Sequence, residues 1–144
     1  MGSALELLIP RTISRPDAIP RTEPGRSFLL VEDDPDTRYV LEQRLSSAFT
    51  DVRIIAAESA EDALELAPHL RPIAVVLDLG LAGMDGFEFA RRLRAVSSTT
   101  AMVALTGDTR PESHARAARE GFVAFLVKPA GLDDLIAVLE RLLQ

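Results

Sequence analysis

Four places in the chain set a chemically active side chain directly after a short apolar run: Glu32-Asp33-Asp34 after 28–31, Asp78 after 73–77, Thr106 after 102–105 and Lys128 after 123–127. Carboxylates crowded together repel one another, and either a hard divalent cation or a shared proton relieves the repulsion. Magnesium suits such a set, because it takes one or two carboxylates, keeps several waters and favours a phosphate oxygen as a further ligand. A threonine hydroxyl and a lysine ammonium would bind the remaining oxygens of a phosphoryl group. The chemistry suggested is therefore the binding of a metal ion and a phosphoryl group, provided that the fold brings the four places together. Asp34 before Pro35 has an ordinary use as a helix cap, which leaves Glu32 and Asp33 without one. Asp78 ends a wholly apolar run, where a bare carboxylate is costly to desolvate, so it requires a cation or donors. Thr106 and Lys128 carry weight through joint position only.

The elements that must position these residues are legible from Phe28 onward, where short apolar runs alternate with segments of helical period. Strands are predicted at 28–31, 52–56, 73–77, 102–105 and 123–127. Val40, Leu41, Leu45 and Ala48 form one helical stripe, and Ala60, Ala63, Leu64 and Ala67 form another. Helix starts are marked by Asp34-Pro35, by Ser59 ahead of Asp62, by Asp85 ahead of Glu88 and by Thr109 ahead of Glu112. Leu132, Leu135, Ile136, Leu139, Leu142 and Leu143 give the last helix a broad apolar face, and no output domain is expected after it. A weakly apolar, alanine-rich helix over about 110–120 is expected to be the most mobile. Five strands and five helices in alternation make a doubly wound α/β fold, whose ligands sit at the carboxyl ends of the strands near the topological switch point.

Composition narrows the alternatives. The 144 residues suffice for one core, and 47% of them are apolar. Without cysteine, disulfides, thiolate nucleophiles and sulfur-held metals drop out. A net charge of −6 argues against direct nucleic-acid binding. No apolar run approaches the roughly 20 residues of a membrane helix and no basic secretory leader opens the chain, so no membrane association and a cytoplasmic location are expected. Residues 1–26 read as an extension: four of the nine prolines and four arginines fall in 10–26, after Leu5, Leu7, Leu8 and Ile9, which could dock on a partner. The folded domain is expected over 27–144.

With these residues in hand, the chain resembles the receiver domains of two-component response regulators over 27–144. Four stretches carry the likeness: Phe28-Leu29-Leu30-Val31-Glu32-Asp33-Asp34-Pro35-Asp36, Val76-Leu77-Asp78-Leu79-Gly80 continuing to Glu88, Ala104-Leu105-Thr106-Gly107, and Phe125-Leu126-Val127-Lys128-Pro129. The resemblance implies a flavodoxin-like five-stranded parallel sheet in the order 2-1-3-4-5. It makes Asp78 the phosphoacceptor, with Asp33, Asp78 and the Gly80 carbonyl binding Mg2+ directly and Glu32 acting through a metal-bound water. Thr106, Lys128 and Phe125 become the phosphoryl-binding and switch residues, and Pro129 follows a cis bond that aims Lys128. The implied donor is a histidine kinase or a histidine phosphotransfer protein. A downstream protein target would read the fourth helix, fifth strand and fifth helix, and a homodimer is compatible with the family. Neither His69 nor His114 is expected to take part in the phosphoryl chemistry, and no enzymatic activity is expected beyond self-phosphorylation and self-dephosphorylation.

Three departures from the family pattern matter. Ala82 replaces a frequent proline, Phe125 lacks a tyrosine hydroxyl, and Gly107 with Gly80 leaves the acceptor open to water, so rapid self-dephosphorylation is expected unless Asp108 repels the incoming group. A magnesium-dependent aspartyl-phosphate phosphohydrolase is the rival enzyme reading. Its general acid would stand two residues after the nucleophile, where this chain has Gly80. A phosphorylation-independent interaction module is the other rival, and such modules usually lose an acid, the threonine or the lysine. A stand-alone regulator and a receiver excised from a hybrid kinase fit the sequence alike.

Overall fold

Three strands of the chain carry almost no polar side chain, and strands apolar on both faces need cover on both faces. They are β1 (Ser27–Val31), β3 (Ala74–Leu77) and β4 (Ala101–Thr106), and every residue but Ala101 is buried. A computed structural model describes residues 26–80, 83–128 and 132–144 of the chain. In it these strands form the middle of one parallel sheet, with β2 (Arg53–Ala57) and β5 (Ala124–Val127) as its edges, in the order β2-β1-β3-β4-β5. The five strands fall where the sequence places them, within a residue or two. The expected extension lies outside the described residues except for Arg26, which already belongs to the domain: its carbonyl accepts the Arg53 N–H at 3.0 Å and its guanidinium meets Asp51 at 3.0 Å.

Alternation along the strands sorts the core into two layers. Leu29, Val31, Val75 and Leu77 face one way, against α2 (Ala60–Leu70) and α3 (Gly86–Val96), where Ala63, Ala67, Phe89 and Leu93 are fully buried. Ala117 of α4 (Pro111–Arg119) belongs to the same layer. Phe28, Leu30, Val76 and Val103 face the other way, against α1 (Pro35–Ala48) and α5 (Leu132–Leu142), where Leu45, Leu135 and Leu139 are fully buried.

Helix starts follow local chemistry. Asp34 caps α1, accepting the Thr37 N–H at 2.9 Å and its hydroxyl at 2.6 Å, and these bonds lower the carboxyl's pKa. Ser59 caps α2 through the Asp62 N–H at 3.0 Å, and Asp85 caps α3 through the Phe87 N–H at 3.1 Å. Two expectations need correcting. On α1 only Leu41 and Leu45 are buried; Val40 is 52% exposed and Ala48 is exposed, because the helix meets the sheet along a single i, i+4 line continued by Phe49. At α4 the cap position belongs to Arg110, which makes no side-chain cap bond, with Pro111 starting the helix, so the expected Thr109 cap is not formed.

Strand register then delivers the functional residues. Val31 pairs with Leu77 at the ends of β1 and β3, and Thr106 pairs with Val127 at the ends of β4 and β5. Glu32, Asp78 and Lys128 are each the next residue along, so all arrive at the carboxyl edge. The order of the sheet reverses between β1 and β3, and Glu32 and Asp78 emerge there.

Candidate functional site

Backbone ladder bonds continue past the strands and hold the site from below. The Glu32 N–H donates to the Ala57 carbonyl at 3.1 Å, the Asp78 N–H to Val31 at 3.4 Å and the Lys128 N–H to Thr106 at 2.8 Å. Glu32 is almost fully buried, at 2% exposure, and a carboxylate there must be answered. Its Oε1 accepts the Lys128 ammonium at 2.6 Å, and its Oε2 accepts the Asp34 N–H at 3.1 Å. The same ammonium donates to Asp78 Oδ2 at 2.9 Å, while the Gly80 N–H donates to Asp78 Oδ1 at 2.9 Å. Lys128 therefore bridges residues 96 and 50 positions away. Burial by itself would push the lysine's pKa down; the hydrogen bonds from Glu32 and Asp78 and the charges of both outweigh it and hold the ammonium above its ordinary range.

Carboxylate oxygens of Glu32, Asp33 and Asp78 all lie within 4.8 Å of one another. One ammonium among three carboxylates leaves an excess of negative charge, and every donor is a hard oxygen. That is the donor set of a magnesium or calcium site, and no imidazole or thiolate competes in it.

Thr106 is buried beside this cluster, and its Oγ1 accepts the Asp108 N–H at 3.3 Å. A cavity of about 560 Å³ opens next to it, bordered by Gly80, Asp85, Phe87, Asp108, Arg110 and Arg116. The Asp108 carboxylate is itself engaged: it accepts Arg110 Nε at 3.0 Å, Arg110 Nη2 at 2.8 Å, the Arg110 N–H at 2.9 Å and the Ser113 hydroxyl at 2.6 Å. These bonds push its pKa far below the usual carboxylate range, and the guanidinium offsets the charge that the sequence alone sets against an incoming anion. Phe125 is half-buried against the core, and the imidazole of His114 stacks on it with ring centroids 4.9 Å apart and planes 12° from parallel. Pro129 and Ala82 lie outside the described residues.

The geometry thus gathers Glu32, Asp33, Asp78 and Lys128 into one cluster and sets Thr106 and Gly80 at its border. Sequence reasoning missed the stack of His114 on Phe125 and the Asp108-Arg110-Ser113 cluster. The first had no local signal, since the two rings come from different elements; the second had a weak one, an acid five residues ahead of a serine at a helix start.

Comparison with known proteins identifies the family. The model of the response regulator receiver domain matches residues 28–140. The chain belongs to the receiver domain family. A 14.6 kDa protein from Leptolyngbya boryana is 36% identical to this receiver over 116 residues, covering 79% of this chain and 87% of that one. The response regulator MprA of a Mycobacterium species is 32% identical over 117 residues, and the nitrate/nitrite regulator NarL of Escherichia coli is 30% identical over 116. This receiver spans about half the length of each of those two regulators. Among solved structures, the signal receiver domain of a DNA-binding response regulator from Colwellia psychrerythraea superposes with a TM-score of 0.76 at 29% identity, covering 81% of this chain and 97% of that one. The receiver domain of HemR from Leptospira biflexa gives 0.73 at 28%, covering 85% and 95%.

Proposed function

We propose that this receiver takes a phosphoryl group from a phosphohistidine of a histidine kinase or phosphotransfer protein onto Asp78. The observation that carries the reading is the ammonium of Lys128 bridging Asp78 and buried Glu32, within a cluster of three carboxylates. Asp33, Asp78 and the Gly80 carbonyl would hold Mg2+, with Glu32 behind a water. When bound, the ion neutralises charge on the phosphoryl oxygens and on the attacking carboxylate.

The chain's own groups supply the rest. An Asp78 oxygen attacks phosphorus in line with the breaking P–N bond, whose electron pair stays on the donor's imidazole. Lys128 already holds one Asp78 oxygen, which orients the carboxylate, and it then pairs with the transferred group. Thr106 leaves the Asp108 N–H to bind a phosphoryl oxygen, and Phe125 turns inward. The output surface is the one formed by α4, β5 and α5, where Val123 and Val127 are exposed. Gly80 offers no side chain to act as a general acid, so the product is held as a signal until water removes it, and turnover of phosphomonoesters is not expected. Nothing replaces a missing side chain at Gly107, where a Cβ would meet no atom within 4 Å, and this supports a short-lived acyl phosphate.

Incubation with acetyl phosphate and magnesium, followed by intact mass, tests the proposal. One phosphoryl adduct is expected on the native chain and none on Asp78→Asn. Labelling that persists in the variant, or never appears in the native chain, sinks the assignment.

A further inference from the structure

The loop before α4 and the first turn of that helix together touch both of the residues expected to move. At one end, the Asp108 N–H rests on Thr106 Oγ1 at 3.3 Å. The Asp108 carboxylate then binds forward onto the helix, to the Arg110 N–H at 2.9 Å and the Ser113 hydroxyl at 2.6 Å, with the Arg110 guanidinium closing the other side. Arg110 at the cap position gives its own helix no side-chain cap, so Asp108 ties down the helix start from two residues upstream. At the other end, His114 follows Ser113 directly. Its N–H donates to the Arg110 carbonyl at 3.3 Å, and its ring lies flat on Phe125. Each link between Thr106 and Phe125 is thus a hydrogen bond, a ring contact or one helical turn.

We infer that Asp108 and His114 are positioning residues of the switch, which make the first turn of α4 a rigid link passing the state of Thr106 to Phe125. The inference rests on the reading of Asp78 as phosphoacceptor. When Thr106 swings towards Asp78 it withdraws the acceptor beneath the Asp108 N–H and releases the loop from β4. The Asp108 carboxylate stays on Arg110 and Ser113, so loop and first turn shift as one body. His114 rides on that turn, and its displacement frees the outer face of Phe125. The competing route needs no α4 residue: Phe125 simply enters the space that Thr106 leaves. The two differ in what substitutions at 108 and 114 do to the response, and a coupling claim requires that kind of evidence.

The experiment is amide hydrogen exchange on the full chain with and without beryllofluoride and magnesium, a stable mimic of the phosphoryl group, with fluorine NMR reporting occupancy separately. In the native chain exchange changes over 110–117 and over 124–127. Asp108→Ala still binds beryllofluoride, and its response falls several-fold in both segments. His114→Ala keeps the response over 110–117 and loses it over 124–127, and His114→Phe, which retains a ring to stack, restores it. If Asp108→Ala frays α4 even without beryllofluoride, Asp108→Asn decides, since it still accepts from Arg110 and Ser113 but lacks the ion pair: an intermediate response supports the link and a native one overturns it. A native-sized response over 124–127 in both alanine variants overturns it as well. No beryllofluoride signal in the native chain would overturn the acceptor reading, and this inference with it.

Discussion

Lys128 concentrates most of what the site does at the scale of single residues. Among the described residues it is the cation that bonds the carboxylates of both Glu32 and Asp78, and its side chain keeps 26% of its surface in water while Glu32 keeps 3%. Replacing it by methionine takes away the ammonium that bonds both carboxylates, which costs several kcal/mol when fully buried and about 2 kcal/mol at this partial exposure. Urea unfolding in a chelating buffer should show that loss, and millimolar magnesium should recover much of it, because a divalent cation answers the same carboxylates. No recovery would place the cation elsewhere. A pH dependence follows from the same group. The ammonium's pKa is raised above its ordinary 10.5, so its contribution is complete below that value and is lost as pH rises through the folded-state value. The stability gap between native chain and Lys128→Met should therefore narrow above about pH 10.5. A gap independent of pH would separate the lysine's role from its charge.

At the scale of elements, the placement of α3 controls how closely its start lies under the loop that follows Asp78. Gly86 begins that helix, and a Cβ there would lie 2.8 Å from Leu79 Cδ2 and 3.1 Å from Leu79 Cα. The side chain can yield but the backbone atom cannot. Gly86→Ala is expected to destabilise by about 1 kcal/mol, the overlap outweighing the gain in helix propensity of about 0.5–1 kcal/mol. A shift of the urea midpoint in the stabilising direction would show that the loop gives way instead. Elements also show where sequence patterns mislead. Val40 and Ala48 share helical spacing with Leu41 and Leu45, yet only the latter pair lies on the line of contact with the sheet. Periodicity locates a face; the width of the buried stripe depends on how the helix crosses the strands. Thr109 ahead of Glu112 has the spacing of a cap, but Pro111 sets the first helical residue and Asp108 reaches Ser113 from outside the helix.

For the molecule as a whole, the sheet order turns scattered residues into a site. Glu32, Asp78 and Lys128 are neighbours because β1 lies beside β3 and the sheet continues through β4 to β5. On the proposed function the folded site holds a cation that the unfolded chain does not, so magnesium is expected to raise global stability. At about a hundred times its dissociation constant the gain is about 2.7 kcal/mol. Thermal unfolding of the native chain with and without magnesium measures it, and Asp33→Asn should remove most of the difference. An equal shift in that variant would take Asp33 out of the ligand set.

The sequence by itself determined the five strands, most of the helix caps, and which side chains stand at or just beyond the ends of four of the strands, because alternation, apolar runs and capping residues are local properties. It also carried the family resemblance, since four short stretches in order suffice for that. Only the tertiary structure decided that one ammonium spans Glu32 and Asp78, that Asp108 is occupied by Arg110 rather than facing the acceptor unanswered, and that His114 lies on Phe125. Those contacts join different elements or turn on side-chain direction, and both are set by how helices pack on the sheet.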